Sequence, residues 1–232
     1  MQLTIVEKEA TDSLQHVPAY RDPIKQREAE MAVQFHQWLA DKQILPGGLV
    51  IKSPQHLASA LAQRRFGFKL LVVSEPTFDI LPLLERSGFE LSPRDYRKSL
   101  GFTLAVRVFE EANNQIHLLA WNVLPPRLQS QLAHYRGAHG AFYVYDVLKK
   151  EALAPWEQLH ETVQQINGVI PVVLVGHKEG IKRRRVTRRQ GNALAEKLEI
   201  RYYETRNPKG PTLEGALREL VPLMIHLAQT NE

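Results

Sequence analysis

Cysteine is absent from this chain, which excludes disulfides and thiolate metal sites. Also missing is any apolar run of the roughly 18 residues needed for a membrane span. The opening MQLTIVEKEATDS has no basic segment followed by an apolar core, so no secretory leader is expected. The ending LAQTNE offers no cysteine for prenylation, so no prenyl anchor is expected. Neither a G-x-S-x-G stretch nor a Cys/His pair occurs, which removes the usual signatures of nucleophilic hydrolysis. Nine histidines are scattered along the chain. His134 and His139 lack a carboxylate at ligand spacing, and His117 sits in a strand-like alternation, so no metal centre is expected.

What is present fits a soluble cytoplasmic protein. The 232 residues suffice for one good core plus an extension. A hydrophobic fraction of 44% with 24% charged residues is ordinary for a globular chain. The net charge of +5 permits contact with an acidic partner.

From Phe68 onward, short apolar runs alternate with helical patterns. The strand-like runs are 68–73, 102–109, 115–121, 141–147, 170–176 and 200–204; helical patterns lie near 80–87, 126–135, 155–167, 187–198 and 212–229. Such alternation predicts a mostly parallel sheet of six strands with helices on both faces. The exception is 102–121, where EEANNQ joins two alternating strands as a hairpin. Thr187 and Thr212 are placed to begin the last two helices, which carry Gly191 and Pro222 against their helical pattern. Residues 1–66 read as an extension of helix, short strand and helix, and 67–232 as the main domain.

Several segments of that domain carry a family likeness. YRGAHGAFYVYDVLKKEAL (135–153), PVVLVGHK (171–178), VTRRQGNALAEKL (186–198) and YYET (202–205) occur in this order. Together they resemble the Ras superfamily of small GTPases, especially its Rab-like members. The resemblance implies a three-layer Ras-like fold in which five loops at the carboxyl ends of the strands hold guanine nucleotide and magnesium.

At each loop the sequence departs from the family pattern. The phosphate loop, G-x-x-x-x-G-K-[ST], falls on Ser74 to Leu81. Asp79 replaces a glycine, adding a carboxylate beside that of Glu75 where phosphate would lie. Pro76 removes a backbone donor, Ile80 stands for the cationic lysine and Leu81 for a magnesium-binding hydroxyl. In YRKSLGF, Ser99 takes the place of the family's magnesium-binding threonine, although it reads more simply as the entry to a strand. The W-D-T-A-G-Q segment becomes Trp121-Asn122-Val123-Leu124-Pro125-Pro126, whose prolines neither donate an N–H nor position water. The base-reading N-K-x-D becomes His177-Lys178-Glu179-Gly180, and Gly180 lacks the carboxylate that would select guanine. S-A-K becomes Arg206-Asn207-Pro208.

These departures imply a pseudo-GTPase: no enzyme, no cofactor, and a scaffold or adaptor role with a protein partner. Two alternatives are an atypical nucleotide-binding switch and a basic module for anionic lipid or nucleic acid. The basic candidates for partner binding are Lys182, Arg183, Arg184, Arg185, Arg188 and Arg189. No aromatic platform is interleaved with them, so single-stranded nucleic acid is not the expected partner.

Overall fold

A computed structural model describes residues 65–76, 78–92, 102–111, 114–125, 129–178, 183–205 and 212–230, together with Gln34 and Trp38. The expected extension 1–66 lies almost wholly outside the described residues. The expected boundary at 67 falls inside the first described strand.

That strand, β1 (Arg65–Ser74), leads into α1 (Leu81–Arg86) and then β2 (Glu90–Leu91). The hairpin follows as β3 (Thr103–Glu111) and β4 (Asn114–Val123). After a 3-10 helix (Gln129–Tyr135), the chain alternates as β5 (Gly140–Asp146), α2 (Trp156–Asn167), β6 (Val172–His177), α3 (Arg188–Lys197), β7 (Arg201–Glu204) and α4 (Glu214–Thr230).

The sheet runs β2-β3-β4-β1-β5-β6-β7. β1 is central and pairs in parallel with both β4 and β5. β5, β6 and β7 continue in parallel, whereas β3 is antiparallel to β4 and to β2. Among the described residues the sheet therefore has seven strands where six were expected. The seventh, β2, is only two residues long, too short for any alternation to register. The helix expected over 126–135 is a 3-10 helix beginning at Gln129.

Burial on both faces explains why β1 reads as a continuous apolar run. Phe66, Phe68, Leu70 and Val72 pack with Ile80, Leu83 and Leu84 near α1 and with Leu217, Leu220 and Met224 of α4. Leu71 and Val73 face the opposite way, into a cluster with Trp156 and Leu159 of α2 and Leu194 of α3. This period-two division places β1 between two helical layers. Thr187 caps α3 with a reciprocal capping box to Gln190, as its position suggested. Gly191 is tolerated within α3 for a steric reason: an added Cβ would run into the Tyr145 hydroxyl and the Tyr202 ring. No helix among the described residues is long and apolar enough to cross a membrane.

Candidate functional site

In an open α/β sheet the ligand crevice lies beyond the carboxyl ends of the strands, where strand order reverses. Here that point is the end of β1, flanked by β4 on one side and β5 on the other. The segment between Ser74 and Leu81 crosses it.

Ser74 closes β1 and is buried against Val144 in the parallel register. A turn follows in which the Phe78 N–H donates to the Glu75 carbonyl at 2.9 Å. The turn directs Phe78 back onto the core, where its ring lies 4.8 Å from that of His177. His177, the last residue of β6, is fully buried, and its Nδ1 lies 3.1 Å from the Thr205 hydroxyl. One residue of the phosphate-loop position and one of the base-reading position thus touch each other. Phe78 was not among the residues singled out as degenerate, and its aromatic partner at 177 could not be read from sequence spacing.

Ile80 is buried at the start of α1, and Leu81 packs half-buried against the same core cluster. The lysine position is therefore part of the hydrophobic interior, stabilised by the same burial as the strands. Asp79 is exposed, and its Oδ1 accepts the Leu81 N–H at 3.1 Å. A side-chain carboxylate thereby takes a backbone donor of the first helical turn, where donors otherwise point at solvent or an anion. Across the mouth, Lys149 Nζ donates to Glu75 Oε2 at 2.8 Å. The Glu75 side chain is only 14% exposed, so this ion pair is partly shielded from solvent.

The second loop has a different character. Asn122 is half-buried and registers with Val72 of β1 and Thr103 of β3. Pro125 is half-buried, and Leu124 is exposed while its carbonyl accepts the Tyr135 hydroxyl at 2.7 Å. Beside them Trp121 stacks on Phe102 at 4.9 Å, and His134 tilts onto Phe102 at 4.6 Å. Lys69 lies 4.0 Å above the Trp121 ring and donates to the Arg136 carbonyl; burial lowers its pKa.

Lys178 is half-buried at the end of the base-reading segment. Ser99, Pro126, Gly180 and Lys182 lie outside the described residues. The basic segment is divided. Arg184 Nη2 lies 2.7 Å from Glu204 Oε1, and Arg188 Nε lies 3.3 Å from Glu204 Oε2. The Tyr202 hydroxyl donates to Glu204 Oε2 at 3.0 Å, with Tyr145 3.3 Å behind it. Burial alone would raise the Glu204 pKa, but the Arg184 guanidinium, the Tyr202 hydroxyl and Arg188 outweigh it and hold the carboxyl below its ordinary value. Arg183, Arg185 and Arg189 are exposed.

Strand order, one antiparallel hairpin and loops gathered at the end of β1 give an α/β architecture consistent with the Ras-like P-loop GTPase fold. A Ras family model matches residues 127–225. The chain is 28% identical over 153 residues to Ras-related protein RIC1 of Oryza sativa subsp. japonica, covering 64% of this chain and 76% of the relative. It is 28% identical over 142 residues to Ras-related protein RABD1 of Arabidopsis thaliana, covering 60% and 69%. With Ras-related protein SEC4 of Candida albicans it shares 26% over 160 residues, covering 67% and 76%. Over these segments the chain is similar to the Ras superfamily of small GTPases.

One expectation is corrected by this likeness. Residues missing from the nucleotide motifs led to the reading that the chain is no enzyme. The proteins it matches are Ras-related members of a superfamily of GTP hydrolases, and that overturns the reading.

Proposed function

We propose that this Ras-like chain acts as a protein-interaction or adaptor subunit, and that it does not hold GTP through the usual five motifs. The observation that carries the reading is the occupied crevice: Phe78 on His177, Ile80 in the core, and Glu75 paired with Lys149. A phosphate group entering here meets two carboxylates, and Ile80 supplies no cation to neutralise it. The half-buried aromatic group Phe102, Trp121 and His134, beside exposed Leu124, supports a partner-facing role for the adjoining loops. An atypical nucleotide switch would have to rely on Lys178 and the basic segment, but Arg184 and Arg188 are already engaged with Glu204.

The test is the nucleotide content of the purified full chain. Denaturation followed by anion-exchange chromatography should release no near-stoichiometric guanine or adenine nucleotide. Added GTP with magnesium should leave the melting temperature unchanged. A stoichiometric guanine nucleotide, or a magnesium-dependent stabilisation by GTP, overturns the proposal.

A further inference from the structure

The basic run KRRRVTRR is not a uniform solvated loop. Its described members fall into two sets with opposite destinations. Arg184 and the partly exposed Arg188 both pair with the buried Glu204 carboxylate, whereas Arg183, Arg185 and Arg189 are exposed without such a pair. Among the described residues, none of those three has an ion-pair partner. The backbone between them is fixed at several points: the N–H groups of Arg185 and Val186 donate to the Val147 carbonyl at 2.8 and 3.0 Å. Val186 is buried, and the Thr187–Gln190 capping box holds the entry to α3. A loop held this firmly has already surrendered much of the backbone freedom that binding would otherwise remove. Arg189 also sits in the first turn of α3, where the helix dipole disfavours a cation, so helix stability does not explain its presence.

We propose that Arg183, Arg185 and Arg189 form a preorganised docking platform for an acidic segment of a partner protein. The proposal deepens, and rests on, the protein-interaction reading above. Arginine's planar fork suits carboxylates, and its charge persists at any physiological pH. The alternatives fit less well. Among the described residues of the loop, the apolar Val186 is turned inward and is not offered to a bilayer, and no aromatic ring stands among the three to stack a base.

The experiment uses the full chain and a fluorescently labelled decaglutamate peptide as probe, at low and near-physiological salt. Binding should weaken steeply with salt. It should fall by about tenfold or more in Arg183→Glu/Arg185→Glu/Arg189→Glu, a loss well within reach of three charge reversals. The control Arg136→Glu/Lys150→Glu/Arg201→Glu changes net charge equally at exposed sites elsewhere and should bind like the unmodified chain. Circular dichroism and melting temperature establish that both variants fold. Three results overturn the proposal: no peptide binding at low salt, equal loss in the control, or stronger patch-dependent binding to a single-stranded oligonucleotide or phosphatidylserine vesicles. Nucleotide content is measured on the same preparations. Bound GTP with intact peptide binding defeats the parent reading and spares this one; absent peptide binding without nucleotide does the reverse.

Discussion

Glu204→Gln isolates the charge that anchors the basic segment. The substitution keeps the side-chain shape and an acceptor for the Tyr202 hydroxyl, but removes the charge that attracts Arg184 and Arg188. The Glu204 side chain is 4% exposed, while those of Arg184 and Arg188 are 27% and 45% exposed. Breaking a fully buried pair costs roughly 3–5 kcal/mol, but guanidiniums with this access to water recover part of that, so about 2 kcal/mol is expected. For a chain of this size that corresponds to a melting point lower by roughly 4–8 °C. The pH dependence has a definite sign. The folded-state pKa of Glu204 is depressed below 4.5, so its contribution is present above the unfolded value and is lost as pH falls through the folded value. Thermal melts followed by circular dichroism should show a constant gap between the two proteins from about pH 8 to 6, narrowing below about pH 4.5. A variant melting within about 1 °C of the unmodified chain at neutral pH, or a gap that ignores acid, would refute the reasoning.

The crevice and the α3 packing give two further tests. Ile80→Ala should lose about 2–4 kcal/mol in urea unfolding, because the removed atoms leave a cavity in the core beneath α1; a loss under about 0.5 kcal/mol would mean that the side chain is not interior. Gly191→Ala should destabilise by about 1–3 kcal/mol, despite alanine's better helix propensity, because its methyl meets Tyr145 and Tyr202. Stabilisation in differential scanning calorimetry would show that the packing there is looser than described.

Local chemistry made the fold readable where one residue carries one consequence. Apolar residues on both faces of β1, the Asn-Asn hairpin and the threonine before α3 each act over a few positions, so the sequence pattern and the structure agree. The edge strand β2 escaped because two residues cannot display a period, and its pairing with Val106 and Ala105 exists only once the hairpin is in place. The 129–135 segment winds as a 3-10 helix, a distinction too fine for hydrophobic spacing.

The site divides along the same line. The apolar character of Ile80 and Leu81 was legible, and such side chains beside a buried strand seek the core. Pairing Phe78 with His177 was not, because it depends on β1 and β6 flanking β5, with β6 running two residues past the level of Ser74. Nor could six neighbouring basic residues reveal which of them point inward. That sorting is done by Glu204, twenty positions from Arg184 along the chain, and becomes visible only when β7 is laid beside β6.

The central place of β1 also sets an order of events during synthesis. Leu70 pairs with Gly140, seventy positions further on, and Leu71 with Trp121, fifty further on. At about 5–20 residues per second, Leu70 emerges some 4–14 seconds before its β5 neighbour has been made. Until β4 has been made Leu70, Leu71, Val72 and Val73, none of which retains any exposure in the finished protein, have no sheet to join, and until β5 follows they are covered on one edge only. The central strand of the native sheet is therefore a long-standing sticky segment of the nascent chain. A ribosome-bound fragment ending before Gly140 should recruit hydrophobic-binding chaperones, and should release them once β5 is complete.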